Sequence, residues 1–273
     1  MEGHRPRRVV VGGGAYADGM ELLELMRESR SIVGFTGAGV STESGIPDFR
    51  SPGGVWTRFD PRDFEFDRYF EDAGVRTRSW QMRREFFATP FAPNPAHHAF
   101  ARLEQVGLCP GVITQNIDGL HQEAGSSNVI ELHGTARTVM CIGEEPSLGL
   151  PTGCGWEAPN EWAMGRVDAG DPDPHCPSCG GLVKSATVSF GQRLFPGAVT
   201  AASDLVQEAD LLVVAGSSLQ VYPAAGLPLE ALGAGARLAI VNNEETPFDE
   251  VATLVVRGQA GEVLGSAVDA LLG

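Results

Sequence analysis

No run of about 18 consecutive apolar residues occurs in the chain, so no bilayer-spanning helix is expected. The N-terminus lacks the apolar core of a secretory signal. Positive charge is scarce: 20 Lys and Arg stand against 35 Asp and Glu, a net charge of −15. Sequence-independent nucleic-acid binding requires neutralised phosphates, and this balance argues against it. The basic cluster of Arg5, Arg7 and Arg8 is short and terminal, and reads as a solvated tail. Cysteine is sparse too. There are five, an odd set, and four lie between 141 and 179. Without a secretory signal, that clustering favours a metal over disulfides. These absences point to a soluble cytoplasmic protein without membrane or nucleic-acid partners.

What is present supports a sizeable core. With 273 residues and 42% hydrophobic content, the chain can build one large domain, or a large one with a satellite. Residues 18–30 predict a helix that Asp18 starts, with Leu22, Leu23, Leu25 and Met26 on its apolar face. Strand-like runs follow at 32–36, 111–115, 129–132, 211–215, 237–241 and 253–256. Apolar strands alternating with helical patterns predict a parallel sheet covered on both faces. In such sheets the ligand lies at the carboxyl ends of the strands. Polar residues gather there: the Gly37 loop, Thr114 to His121, His133-Gly134, Gly216-Ser217-Ser218 and Asn242-Asn243-Glu244.

The first of these is the most informative. Gly37-Ala38-Gly39-Val40-Ser41-Thr42-Glu43-Ser44-Gly45-Ile46-Pro47-Asp48-Phe49-Arg50 follows the strand at 32–36. Glycines after a strand let the backbone turn and approach a pyrophosphate, and the next helix start offers free N–H groups. The second half is unusual for a phosphate loop. Pro47 fixes its own φ, and Asp48 and Arg50 set two opposite charges beside Phe49.

Two stretches break the alternation. Residues 51–105 carry Trp56, Phe59, Phe64, Phe66, Tyr69, Trp80, Phe86 and Phe87, with helical spacing in places. They read as an inserted helical cap or flexible lid, its aromatics serving packing more than ligand contact. Residues 137–185 are rich in Gly, Pro and Cys and show little periodicity, so they need a staple. Cys176-Pro177-Ser178-Cys179-Gly180-Gly181 supplies half of one: this spacing lets two thiolates converge on one tetrahedral ion. Cys141 and Cys154 supply the rest. They are separated by 12 residues, and Gly143, Gly149, Pro151 and Gly153 let the excess loop out. His175 stands beside the motif as an alternative ligand. Four thiolates would close the coordination shell, so the expected ion, zinc, is structural. Cys109 lies apart and reads as a small buried hydrophobe.

The loop at 37–50, Thr114-Gln115-Asn116-Ile117-Asp118, His133-Gly134, the cysteines, Phe190-Gly191, Gly216-Ser217-Ser218-Leu219, Pro223-Ala224 and Asn242 together resemble the sirtuin family of NAD-dependent protein lysine deacylases, in its bacterial form. The resemblance implies an α/β fold. A Rossmann-like parallel sheet with helices on both faces would comprise 1–50, 106–136 and 186–273. A helical insertion would take 51–105 and a small zinc-binding domain 137–185. NAD and an acyl-lysine protein would enter the cleft between domains from opposite sides.

On this resemblance His133 is the general base acting on the nicotinamide ribose, a task suited to an imidazole whose unperturbed pKa is about 6.5. His121 would be a supporting residue. Asn116 would orient ribose hydroxyls and water, and Gln115, Ile117 and Asp118 would line the nicotinamide pocket. Asp48, Phe49 and Arg50 would hold the reactive end of NAD. Gly37, Ala38, Ser41, Ile46, Gly216, Ser217, Ser218, Asn242, Glu244 and Ala260 would complete the cofactor site. Val188, Ser189, Phe190 and Gly191 on one side, with Leu219, Gln220, Val221 and Tyr222 on the other, would flank an extended substrate. Cys141, Cys154, Cys176 and Cys179 would hold one zinc.

The chain departs from the family's common pattern in four places: the Cys141–Cys154 spacing, Gln192 after Phe-Gly, Ser217, and Trp80-Gln81-Met82-Arg83 in the lid region. Members that remove succinyl or malonyl groups carry Tyr-x-x-Arg in that region. Trp lacks the phenol that binds a carboxylate, so acetyl or another uncharged acyl group is favoured, although Arg83 could still pair with a carboxylate. Mono-ADP-ribosyl transfer, NAD hydrolysis and a non-catalytic NAD-binding module remain as alternatives.

Overall fold

The computed structural model describes residues 8–11, 15–87, 90–145 and 149–273. The elements, in chain order, are β1 (Arg8–Val11), α1 (Ala15–Arg27), β2 (Ile32–Thr36), α2 (Phe66–Glu71), α3 (Ala73–Phe87), α4 (Pro95–Gln105), β3 (Val112–Thr114), α5 (Leu120–Glu123), β4 (Val129–Glu131), β5 (Gly134–Gly143), β6 (Glu157–Pro159), α6 (Asn160–Asp168), β7 (Leu182–Thr187), α7 (Pro196–Gln207), β8 (Leu211–Ala215), α8 (Leu227–Gly233), β9 (Arg237–Val241), β10 (Leu254–Arg257) and α9 (Ala260–Leu272).

Seven strands form one sheet in the order β1-β10-β9-β8-β2-β3-β4, and every neighbouring pair is parallel. Parallel strands need helical crossovers, which bury both faces. The central strands show this. Ile32, Leu211, Val213, Ala239 and Val241 face a layer that includes Leu22, Leu23, Phe100, Leu103, Val263 and Leu264 from α1, α4 and α9. The alternate residues Val33, Phe35, Leu212, Val214, Leu238 and Ile240 face Ala202, Val206, Leu227 and Ala231 from α7 and α8. Each fully buried large aliphatic side chain contributes roughly 1.5–3 kcal/mol, so these two layers hold most of the fold's stability. From β2 the order runs outward through β3 and β4 on one side, and through β8, β9 and β10 on the other. The reversal between β2 and β8 opens a crevice at their carboxyl ends.

Several boundaries differ from the sequence-based expectation. Arg8 does not lie in a free tail: with Val9, Val10 and Val11 it forms edge strand β1, paired with Leu254 to Arg257. β-Branched residues favour the extended backbone of a strand. Arg5 and Arg7 lie outside the described residues. The first helix starts at Ala15, not Asp18, and stops at Arg27 instead of Arg30. The Asp210 carboxylate accepts from the amides of Arg30 and Ser31 and turns the chain into β2.

Residues 51–105 do not act as one insertion. The amide side chain of Asn94 caps α4, with Pro95 at its first position, and α4 packs under the large sheet. α2 and α3 instead pack on a second, antiparallel sheet ordered β6-β5-β7. Phe66, Tyr69 and Phe70 bury against Ile142, and Trp80 buries among Val139, Cys141, Ala163, Cys176 and Val183. The stretch 137–185 is therefore more regular than its composition suggests, because its apolar residues are shared with helices distant in sequence. The Tyr69 hydroxyl donates to the Val183 carbonyl at 2.7 Å. Arg76 makes a mostly buried ion pair with Asp173 at 2.8 Å while donating to the carbonyls of Tyr69 and Phe70.

Removing one partner of a buried pair leaves the other charge uncompensated. Arg76→Ala is thus expected to destabilise the small sheet by about 3–5 kcal/mol. A denaturant titration showing less than about 1 kcal/mol would mean that the bridge behaves like a surface pair.

Candidate active site

The crevice is built on a backbone contact. The Gly39 amide donates to the Gly216 carbonyl at 2.8 Å. A Cβ on Gly39 would sit 2.9 Å from Gly216 Cα, and one on Gly216 would sit 2.1 Å from the Val40 nitrogen. Gly216 also has φ +61°, a left-handed conformation that disfavours other residues. Only glycines let the loops after β2 and β8 touch. Leu219, nearby, has φ 53°, an outlier for a branched side chain. The Ser217 hydroxyl holds that turn by accepting from the Leu219 amide at 3.3 Å and from Gln115 Nε2 at 2.9 Å.

Behind the glycine loop lies a polar cluster. The short 3-10 segment Ala38–Ser44 carries Ser41, which is buried. The Ser41 hydroxyl donates to Asp118 at 2.7 Å, accepts from Asn116 Nδ2 at 3.0 Å, and lies 3.4 Å from His97 Nε2. Asp118 also accepts from the Leu120 amide, and Thr114 Oγ1 accepts from the Asn116 amide. His97 and His121 meet edge to face at 4.7 Å. Burial lowers both imidazoles, His97 to about 4 against the opposing pull of Asp118, and His121 well below its ordinary value. Both are neutral. His121 Nε2 lies 3.0 Å from the Thr36 hydroxyl, while its Nδ1 has no hydrogen-bond partner among the described residues.

His97 and Asn94 lie outside the strand ends where the sequence concentrates its polar residues, so that pattern does not mark them. The signal was present in Asn94-Pro95-Ala96-His97: an N-cap, a proline at the first helical position, and a side chain three residues after the cap that closes a capping box.

His133 follows β4, two residues beyond Glu131. Its Nδ1 lies 2.9 Å from the Gln115 carbonyl. A carbonyl only accepts, so Nδ1 carries the proton and Nε2 keeps its lone pair. Burial lowers the His133 pKa, with the Gln115 carbonyl pulling the other way. The imidazole is neutral at pH 7 and able to take a proton. The structure places Gln115, Asn116, Asp118, Ser41, Ser217 and His133 at the ends of adjacent strands, as the parallel-sheet reading anticipates.

Other expected residues have local duties. Both Asp48 oxygens are used within its own turn, accepting from the amides of Arg50 and Ser51 and from the Ser51 hydroxyl. Arg50 is exposed and reaches Ser218 only at 3.5 Å. Phe49, half exposed, stacks on Trp56 at 5.1 Å, and Trp56 meets Phe64 and Phe190 at 5.0 and 5.8 Å. These aromatics pack on one another as a cluster. Ile46 and Ile117 are fixed through backbone bonds, the Ile46 amide to Ser41 and the Ile117 carbonyl from Ala136. Asn242 Nδ2 donates to the Glu244 carbonyl, while Glu244 is exposed and Ala260 buried.

The run 188–191 is not an open strand edge. The Val188 amide donates to the His133 carbonyl, and the Phe190 amide and carbonyl pair with Phe64 and Phe66. The Ser189 amide is held by the Gln192 side chain at 3.1 Å. Among the described residues, the Val188 carbonyl and the Gly191 backbone groups keep no backbone partner. Across the crevice, the Val221 carbonyl accepts from the Ala225 amide.

The four cysteines converge despite their uneven spacing. Their sulfurs lie within 4.8 Å of one another, with Cys141 and Cys179 at 3.5 Å and Cys154 and Cys176 at 3.7 Å. Zinc–thiolate bonds of about 2.3 Å give tetrahedral edges of roughly 3.8 Å, so the set fits one zinc ion. Burial pushes the Cys176 thiol up, but the amides of Ser178 and Cys179 together with the Cys154 and Cys179 sulfurs outweigh it, and it falls to about 7. His175 turns away, its Nδ1 2.8 Å from the Gly180 carbonyl. Cys109 is buried, and burial raises its thiol to about 12, as fits an inert hydrophobe.

Because His133 is lowered from 6.5, its neutral form persists below that pH. The His133 imidazole is expected to titrate below pH 6.5 when its ring-proton shifts are followed by NMR, and a midpoint at or above 6.5 would contradict this. Chelating the zinc, or Cys176→Ala, is expected to destabilise the β5-β6-β7 region by several kcal/mol, because metal binding there is folding energy. Unchanged thermal melting after complete metal removal would rule that out.

A family model described as the Sir2 family matches residues 37–223. NAD-dependent protein deacetylase 2 of Streptomyces coelicolor is 48% identical over 242 residues, 87% of this chain and 94% of that protein. NAD-dependent protein deacetylase 1 of Bradyrhizobium diazoefficiens is 44% identical over 256 residues, 92% and 95% of the two chains. Among solved structures, a Sir2 complex with a p53 peptide and NAD+ superposes with a TM-score of 0.80 at 38% identity, covering 92% of this chain and 97% of that one. A Sir2 complex with a deacetylated p53 peptide and 3'-O-acetyl-ADP-ribose matches at TM-score 0.80, with the same identity and coverage. The agreement in sequence and fold spans both sheets and the crevice, and the chain belongs to the Sir2 family.

Proposed function

We propose that this chain removes acetyl, or another uncharged acyl group, from protein lysines and consumes NAD as co-substrate. The observation that carries the reading is His133: its protonated Nδ1 is tied to the Gln115 carbonyl, and its Nε2 is left as a base at a strand end.

The chain supplies positioning more than acid–base groups. The acyl oxygen attacks the anomeric carbon of the nicotinamide ribose, and nicotinamide leaves with the electron pair of the broken bond. His133 Nε2 takes the proton of a ribose hydroxyl, whose oxygen then adds to the imidate carbon. Water completes the collapse to free lysine and O-acyl-ADP-ribose. Asn116 orients the ribose hydroxyls and water, with its amide fixed by Ser41. Gln115, Ile117 and Asp118 line the nicotinamide side, and Asp118 acts through a loop that its own hydrogen bonds order. Phe49 shields the reactive carbon from premature water. Gly37, Ala38 and Gly216 contact the pyrophosphate side, while Ser217, Ser218, Asn242, Glu244 and Ala260 take the adenosine half. The Val188 carbonyl and Gly191, opposite Val221, pair with the substrate main chain.

The domain division that fits this reading assigns α4 to the large sheet, and α2 and α3 to the zinc-bearing sheet. Free thiolates suit a reducing cytoplasm, and no described helix is long and apolar enough to cross a membrane. The net charge of −15 favours basic, lysine-bearing segments over nucleic acid as partners.

Removing a general base costs about 100-fold or more in rate. His133→Ala is expected to lose acetyl-lysine peptide deacetylation by at least that factor while still binding NAD, and the parent chain to release O-acetyl-ADP-ribose on mass analysis. Free ADP-ribose or an ADP-ribosylated protein as the sole product, or full activity in the variant, would overturn the assignment.

A further inference from the structure

The glycine loop is clamped at a third point that the chemistry above does not use. Asn94 Nδ2 holds it from one side through the Val40 carbonyl at 2.8 Å and the Ser44 hydroxyl at 3.0 Å. The Gly216 carbonyl holds it from another through the Gly39 amide. On the third side, Glu43 reaches α9: its Oε2 accepts from the Gly261 amide at 2.6 Å. Gly261 is the second residue of a 13-residue helix whose N-cap, Gln259, makes no side-chain cap. The Glu43 carboxylate thus serves as the missing cap from another element, with its charge at the positive end of the helix.

The glycine itself is informative. Gly261 lies inside the helix and its φ is not left-handed, so no backbone conformation demands it. A helix-interior glycine costs stability relative to alanine. Space explains it: a Cβ there would lie 2.6 and 2.8 Å from the two Glu43 oxygens and 2.9 Å from the carboxyl carbon. The helix gives up a methyl group so that the carboxylate can lie against its first turn.

This contact joins the two halves of the crevice. Glu43 is two residues from Ser41, which orders Asn116 and Asp118. Gly261 follows Ala260, which lines the adenosine half on the functional reading proposed above, and the inference rests on that reading. We propose that Glu43 is a positioning residue for NAD. By capping α9 through Gly261, it fixes the nicotinamide-side loop relative to the adenosine-side helix, so that one dinucleotide fits both.

The test is steady-state kinetics with calorimetric NAD binding on the full chain. Glu43→Ala is expected to raise the KM and Kd for NAD about tenfold, which at 1.4 kcal/mol per decade matches the loss of one helix cap. The KM for an acetyl-lysine peptide and kcat at saturating NAD stay within about twofold, the precision expected of an unperturbed step. Glu43→Gln, which keeps the acceptor but not the charge, gives a smaller rise. Gly261→Ala alone also weakens NAD binding, because its methyl expels the carboxylate. Added to Glu43→Ala, it has no further effect on NAD and raises the melting temperature by restoring helix propensity. A lower melting temperature with unchanged NAD binding in Glu43→Ala would overturn the proposal, as would additive effects of the two substitutions on NAD. The calorimetric arm separates this from the functional reading: a parent chain that binds NAD without turnover refutes deacylation, yet still reports the role of Glu43.

Discussion

Two backbones meet where β2 and β8 end, and the layout of the polar strand ends is organised around that contact. Gly39 and Gly216 approach so closely that either Cβ would collide with the opposite main chain. The contact closes the crevice floor, brings the Ser217 turn against Gln115, and sets Ser41 over Asn116 and Asp118. The strand order turns outward in both directions from this pair, so the connections after β2 and β8 leave to opposite sides and a crevice opens beyond the contact.

The polar cluster around Ser41 illustrates how burial decides chemistry. Three histidines lie in or beside the site, and desolvation lowers all of them. His97 and His121 pack against each other. His133 alone among the three has one nitrogen anchored to a main-chain carbonyl at a strand end. Hydrogen-bond geometry thus distinguishes the three rings, since their intrinsic chemistry is the same.

The small sheet is held differently. Its strands share few apolar residues among themselves. The deficit is met by α2 and α3, by the Arg76–Asp173 bridge, and by four sulfurs gathered from three separate stretches of chain. The aromatic cluster is tied to the same helices, because the Phe190 backbone pairs with Phe64 and with Phe66, the first residue of α2. Cysteine site and helices thus share one small core, with Cys141 and Cys176 packed against Trp80.

The sequence alone determined what depends on local pattern. Apolar runs such as Leu211–Ala215 and Arg237–Val241 specify buried parallel strands, and polar residues directly after them mark the ligand edge. Cys176-Pro177-Ser178-Cys179 specifies half a metal site by spacing. Contacts between residues far apart in the chain were decided only by the tertiary structure. Val9 to Val11 became an edge strand because β10 was there to receive it, and α4 joined the large core while α2 and α3 joined the small one. His97 reached Ser41 across 56 positions, and Glu43 found Gly261 across 218. Local periodicity records which face of an element is buried, but it carries no record of which distant partner covers that face.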